Sequence, residues 1–341
     1  MNRLLLTMFF VVASYSILLS AEPIAGFSVN GVTVEGFDPS RTEYRHYLPH
    51  DDAGVPTLMF GETPIITTGI ITAGIITAGK GTASFDTMVD GKKRTYKIVL
   101  ERLPKLDLFL CIGQSNMAGR GPMDKAQGDM EPIPNVYLFT PNGNWEPATN
   151  PLNRYSTVRK EIKMQQISPS YGFAKKLAVR TNRPIGLVVN AKGGTRIESW
   201  TKGNADGLYE AALERAIVAK KWGEYKAILW HQGEGNRSSA AVAAYPEQLR
   251  KMVGDFRNDI GITDLFFVAG ELGQWRPNDG SKSFNDMIRG IDTFLDHATS
   301  VSTEGLAPIK GDIEDPHFDR PSQLILGERY ADAVLEHIYK P

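Results

Sequence analysis

Leu106-Asp107-Leu108-Phe109-Leu110-Cys111-Ile112 runs straight into Gly113-Gln114-Ser115-Asn116-Met117-Ala118-Gly119, an apolar stretch followed by a glycine-flanked polar turn. Such a run, apolar at nearly every position rather than at alternate ones, is what a strand covered by helices on both faces requires. Comparable runs follow at Ile185–Val189, Ala227–Trp230 and Leu265–Ala269. Helical segments are predicted between and after them over Tyr171–Arg180, Leu208–Trp222, Ala240–Asn258, Phe284–His297 and Gln323–Ile338, the last with Pro321 near its first turn, where proline is tolerated. Alternating strands and helices predict βαβ units, a parallel sheet and a three-layer α/β/α domain. Ligands bind such sheets beyond the carboxyl ends of the strands, so the residues after each run are the candidates for chemistry.

After the first run, Ser115 sits on a tight turn that can expose its hydroxyl and aim its own N–H at an incoming carbonyl oxygen. The turn is not the G-x-S-x-G elbow, because position 117 is Met, and a serine that merely caps a helix fits it equally well. After the second run comes Asn190-Ala191-Lys192-Gly193-Gly194-Thr195-Arg196-Ile197-Glu198-Ser199-Trp200, whose paired glycines let backbone N–H groups approach a ligand, as an oxyanion hole needs. The third run leads into Trp230-His231-Gln232-Gly233-Glu234-Gly235-Asn236, where Gln232 can add a side-chain N–H to the same site or be satisfied by backbone. His317, in Asp312-Ile313-Glu314-Asp315-Pro316-His317-Phe318-Asp319 just before the last helix, has acids close upstream. A loop histidine beside a carboxylate can have Nδ1–H held by the acid while Nε2 faces a nucleophile. His46, His50, His297 and His337 read as surface residues, the last two on helices, and His231 is a minor competitor.

The rest of the chain sets the context. Among 341 residues, 38 Lys+Arg stand against 39 Asp+Glu, a net charge of -1 that offers no general attraction to nucleic acid or an anionic membrane. The one cysteine, Cys111, excludes an intrachain disulfide and zinc sites built on cysteine pairs, and no metal or cofactor is expected. Arg3 followed by the apolar run from Leu4 has the layout of a signal peptide over residues 1–21, implying export to a secreted or periplasmic location with no stable membrane insertion once it is cleaved. Residues 22–103 carry short alternating runs, Phe27–Gly31, Val32–Gly36 and Tyr96–Leu100, with a five-residue repeat over Gly69–Gly79. That spacing predicts a small antiparallel β-sandwich, joined through Leu103-Pro104-Lys105 to a domain over 104–341. The sandwich resembles cadherin-like and immunoglobulin-like modules and reads as a spacer.

Taken together, Gly-Gln-Ser-Asn-Met-Ala-Gly at 113–119, Gly-Gly-Thr-x-Ile-x-x-Trp at 193–200, Trp-His-Gln-Gly-Glu at 230–234 and the late His317-Phe318 resemble the SGNH-type carbohydrate esterases of the sialate O-acetylesterase and acetylxylan esterase group, carbohydrate esterase family 6. The resemblance covers roughly residues 106–341. It implies a flavodoxin-like α/β/α fold and metal-free hydrolysis of O-acetyl groups on an acetylated carbohydrate such as xylan or sialic acid. By motif match Ser115 is the nucleophile, His317 the base, and Gly193 or Gly194 with Gln232 the oxyanion donors beside the Ser115 N–H. The family commonly places an aspartate three residues before the histidine, where this chain has Glu314, with Asp315 at two before. Glu314 and Asp315 together rank ahead of Glu234 as the acid that orients His317. Two further readings stand beside this one: a catalytically silent sugar-binding protein, and an esterase of the same fold acting on other esters. A complete set of nucleophile, base and acid argues against the first.

Overall fold

The computed structural model describes residues 26–340 apart from 35–37, 39, 53, 55, 62, 66–78, 90, 277 and 279. The expected leader and most of the five-residue repeat lie outside the described residues. The chain divides into two compact units at the Leu103/Pro104 junction.

The first unit contains β1 (Phe27–Val29), β2 (Val32–Thr33), β3 (Glu43–Leu48), β4 (Leu58–Phe60), β5 (Thr63–Ile65), β6 (Lys80–Val89) and β7 (Lys92–Arg102). They form a four-stranded sheet in the order β2-β1-β4-β5 and a three-stranded sheet in the order β3-β7-β6. Both sheets give side chains to one core, in which Phe27 and Phe60 of the first meet Tyr44 and Tyr96 of the second. The expected sandwich was antiparallel throughout, but β3 and β7 run parallel. More than forty residues separate them, ample for the chain to return and re-enter in the same direction. His46, expected at the surface, is buried on β3.

The second unit contains β8 (Leu106–Gly113), the one-turn helix α1 (Ser115–Ala118), β9 (Val136–Phe139), β10 (Trp145–Pro147), α2 (Pro169–Thr181), β11 (Ile185–Val189), α3 (Leu208–Ala219), β12 (Gly223–His231), α4 (Ser239–Ile260), β13 (Phe266–Gly270), α5 (Ser281–Arg289), β14 (Ala298–Val301) and α6 (Arg320–Ile338). One seven-stranded sheet has the order β10-β9-β11-β8-β12-β13-β14, parallel except for β10 at its edge. All eight residues of β8 are buried, as the apolar run predicts. On β12, Trp230 donates to Tyr245 of α4, while its neighbour His231 faces Tyr330 of α6. Successive strand residues point to opposite faces, so α4 and α6 cover opposite sides of the sheet. α2 packs on α6 so closely that a Cβ on Gly172 would lie 2.3 Å from the Leu324 carbonyl oxygen, and one on Gly327 2.1 Å from that of Pro169.

Sequence order reverses at β8, which has β11 on one side and β12 on the other, and a crevice opens above such a point at the strands' carboxyl ends. At the other end of β8 the buried Asp107 carboxylate pairs with Arg183 and accepts the Tyr339 hydroxyl at 2.7 Å, tying the segment after α6 to the first strand. The helix expected over Phe284–His297 stops at Arg289, where Gly290 caps it. Ala298–Val301 is instead the edge strand β14, and His297 precedes it with a φ of 51°, off any helix. Among the described residues no helix is long and apolar enough to cross a membrane.

Candidate active site

The candidate nucleophile is placed by glycines that nothing else could replace. Gly113 ends β8 at a φ of 134°, and a Cβ there would lie 2.2 Å from the His231 carbonyl oxygen. Gly119 follows α1 at a φ of 95°, where a Cβ would lie 2.2 Å from the Gln166 carbonyl oxygen. Between them Ser115 opens α1, and as the first residue of a helix its N–H has no partner within the helix. The turn is laced to both neighbouring strand ends: Gln114 N–H donates to His231 O at 2.9 Å, and Lys192 N–H to Gly113 O at 3.1 Å.

His317 comes from the loop before α6. Its Nε2 lies 3.0 Å from Ser115 Oγ, across 202 residues of chain. Its Nδ1 lies 2.6 Å from Asp315 Oδ1, and the same oxygen accepts the His317 backbone N–H at 2.9 Å. Trp275 Nε1–H holds the Asp315 carbonyl at 2.9 Å and its ring packs edge-on against Phe318, while Asp319 caps α6. Burial pushes the His317 pKa below the ordinary imidazole value; Asp315 pulls it back up and Arg120 pushes it further down. The imidazole is therefore neutral near pH 7, the form that can accept a proton.

Of the three carboxylates considered for His317, the structure brings only Asp315 to it. The Glu314 side chain is 79% exposed and pairs with Arg276 at 3.3 Å. A two-residue spacing across Pro316 turns Asp315 back onto the imidazole, whereas the spacing of three aims Glu314 outward. Glu234 is half-buried and accepts Asn116 Nδ2–H at 2.8 Å; desolvation raises its pKa against the pull of its own backbone and of Asn116 and Gln114.

Asn116 had no role assigned from sequence, although it stands in the quoted turn. It is 1% exposed and joins three elements. Its Nδ2 donates to Glu234 and to the Pro316 carbonyl at 3.1 Å, and its Oδ1 accepts Phe318 N–H and Gln323 Nε2–H, both at 3.2 Å. Pro316 and Phe318 flank His317, so this one side chain locks the base loop onto the serine turn.

Gly193 and Gly194 differ in position. A Cβ on Gly193 would be 3.3 Å from Ser115 Cβ, which places Gly193 directly beside the serine. A Cβ on Gly194, at a φ of 75°, would instead face Lys160 Nζ at 3.2 Å. Gln232 does not offer the N–H expected of it. Its Nε2 donates to Thr195 O at 3.1 Å and Asn236 Oδ1 at 2.9 Å, and its Oε1 accepts the Tyr245 hydroxyl at 2.7 Å. One amide hydrogen holds the Gly193-Gly194-Thr195 loop at Thr195 and the other is spent on Asn236. His231 is fully buried against Tyr330 and Phe318, and burial drops its pKa to about 3. Of the aromatics in this unit, Trp145 and Trp200 are core residues, while Trp275 and Tyr155 are partly exposed. Among the described residues no group of three His, Cys, Asp or Glu could hold a metal ion.

The arrangement supplies a hydroxyl, a neutral imidazole that can take its proton, a carboxylate that holds the imidazole, and a backbone N–H beside the hydroxyl. These are the parts of acyl transfer through a serine. The sequence profile of the family "Carbohydrate esterase, sialic acid-specific acetylesterase" matches residues 105–336. A probable carbohydrate esterase of Arabidopsis thaliana is 27% identical over 254 residues, covering 69% of this chain and 92% of its own length. A solved structure of an Arabidopsis thaliana protein matches with a TM-score of 0.60 and 25% identity over 69% of this chain and 99% of that one. A structure of a carbohydrate acetylesterase from Xanthomonas citri matches with a TM-score of 0.51 and 18% identity, over 84% of this chain and 67% of that one.

Proposed function

Since this chain belongs to the family of carbohydrate esterases described as sialic acid-specific acetylesterases, we propose that it releases O-acetyl groups from a sugar by a serine mechanism. Ser115 Oγ attacks the acetyl carbonyl as His317 Nε2 takes its proton. Asp315 keeps the imidazole proton on Nδ1 and stabilises the imidazolium that forms. The N–H groups of Ser115 and Gly193 receive the oxyanion. Collapse of the tetrahedral intermediate breaks the bond to the sugar oxygen, which takes the proton from His317 and departs as a hydroxyl, leaving an acetyl-serine. Water, deprotonated by His317, then frees acetate. The observation that carries this reading is the continuous path from Ser115 Oγ through His317 to Asp315, at 3.0 and 2.6 Å.

Acetylated xylan and acetylated sialic acid are the substrates to compare. The amino-terminal unit, residues 22–103 after removal of the leader, acts as a spacer on an exported enzyme and takes no part in the chemistry. Acetate release from both sugars and from an aryl acetate, in wild type and Ser115→Ala, tests the proposal. The variant is expected to lose at least ~10³-fold in turnover with its fold intact. Retention of more than about a tenth of wild-type activity rejects Ser115 as nucleophile.

A further inference from the structure

Arg120 lies beside the serine and has no carboxylate partner among the described residues. Its Nη1 is anchored by the carbonyls of Gly119 at 2.7 Å and Met164 at 3.0 Å. Its Nη2 is 2.7 Å from the point where a Cβ on Gly193 would sit, and Ser115 Cβ is 3.3 Å from that same point. The guanidinium and the serine side chain thus press against one face of Gly193. Burial disfavours the charge enough to lower the Arg120 pKa, so the cation is held partly out of water without a counter-ion. Holding a cation in that way costs free energy unless an anion arrives to meet it.

The reaction supplies such an anion. The Gln232 amide is committed to Thr195 and Asn236 and is not the side-chain donor to the developing oxyanion, which the neutral backbone N–H groups of Ser115 and Gly193 then receive. A charged donor fixed in advance where negative charge develops acts more strongly than a neutral one. We propose that Arg120 is a catalytic residue whose Nη2–H donates to the oxyanion of the tetrahedral intermediates on Ser115, as the third donor beside the N–H groups of Ser115 and Gly193. This rests on Ser115 being the nucleophile. As Oγ bonds to the acetyl carbon, the carbonyl π pair moves onto oxygen and the serine proton passes to His317. Arg120 keeps all its protons throughout. On collapse the pair returns and the bond to the sugar oxygen breaks. Lys160 is not the equivalent group, because it faces Gly194, one residue further from the serine.

The experiment compares the full-length chain with Arg120→Met and Arg120→Lys on a neutral aryl acetate and on a carboxylate-bearing acetylated sugar, with kcat and KM read separately. Arg120→Met is expected to lose ~10²–10³-fold in kcat on both substrates with KM little changed. Affinity for an alkylboronate, which forms a tetrahedral adduct on serine, should fall by a similar factor. Unchanged kcat on the neutral ester overturns the proposal. So does a loss confined to KM for the charged sugar, which would make Arg120 an anchor for a substrate carboxylate. If Arg120→Met does not give the native near-ultraviolet circular dichroism, Arg120→Lys decides. It keeps the charge but not the reach, and is expected to lose at least about tenfold in kcat and in boronate affinity together; no change in either overturns the proposal. An active Ser115→Ala variant would instead overturn the serine mechanism itself.

Discussion

Replacing Asp315 separates two things a triad carboxylate can do. A single oxygen, Oδ1, accepts both the His317 backbone N–H and Nδ1–H, at 2.9 and 2.6 Å. In Asp315→Asn the amide oxygen can occupy that place and accept both bonds, because the side chain is 30% exposed and its NH₂ can turn to water. The imidazole tautomer then survives, and what is lost is the negative charge facing the imidazolium. A hydrogen bond to a charged group contributes about 1–1.5 kcal/mol more than a neutral one, which corresponds to ~5–10-fold in kcat. Asp315→Ala removes the acceptor altogether, frees the ring to rotate and exchange tautomers, and is expected to cost ~10³–10⁴-fold. Glu314→Gln removes only an exposed pair with Arg276, worth about 0–1 kcal/mol of stability, and should leave turnover near wild type. Steady-state acetate release from an aryl acetate ranks the three. An Asp315→Asn variant as impaired as Asp315→Ala would show that the amide turns its nitrogen to the ring. A severe Glu314→Gln with a mild Asp315→Ala would refute the geometry altogether.

Because burial holds the His317 pKa below the usual imidazole value, its base form persists below that value, and the acid limb of kcat/KM should fall as pH drops through the lowered pKa; an acid limb centred above pH 7 would contradict this. Gly119→Ala forces a Cβ against the Gln166 carbonyl at a φ of 95°, so denaturant unfolding should show a loss of more than ~3 kcal/mol; a change below about 1 kcal/mol would mean that the turn relaxes. Asn116→Ala removes four hydrogen bonds and releases the His317 loop, so kcat should drop by more than ~10²-fold while the protein still unfolds cooperatively; near-normal kcat would show that the loop is held elsewhere. A chain starting at Lys105 should fold and hydrolyse an aryl acetate at close to the full rate, and insoluble product would show that the two units depend on each other.

The parallel sheet was legible because β8, β11, β12 and β13 are apolar on both faces, a pattern few other elements share. Three strands were not. β9 and β10 are short and lie at the sheet's margin, and β14, Ala-Thr-Ser-Val, carries little apolar surface. The helix-stopping glycine at 290 was available as a signal and was overridden by the apolar spacing beyond it. In the site, Ser115, His317 and Gly193 could be picked out because each stands in a loop or turn just after a strand or just before a helix. The choice between Glu314 and Asp315 could not be made by spacing, since it depends on how Pro316 turns the loop. Gln232 was misassigned because an amide's fate depends on its neighbours, here Thr195, Asn236 and Tyr245. The same limit hid Asn116, whose partners are drawn from positions 118 to 207 residues away.

The 202 residues between Ser115 and His317 imply an order of assembly, and the bond between Tyr339 and Asp107 joins the last segment of the chain to the first strand of the same unit. Ser115 leaves the ribosome with the first strand of its unit, but its base arrives some two hundred residues later, on a loop fixed by α6. Until the loop carrying His317 has been made and has packed against the serine turn, no imidazole stands beside the hydroxyl. A nascent or partly threaded chain therefore carries an inert serine, and esterase activity reports that the last-made segment has closed on the first. Contacts of such sequence separation form late and slowly. In a pulse-labelled translation or a refolding time course, hydrolysis should thus appear after sheet and helix signals have already matured.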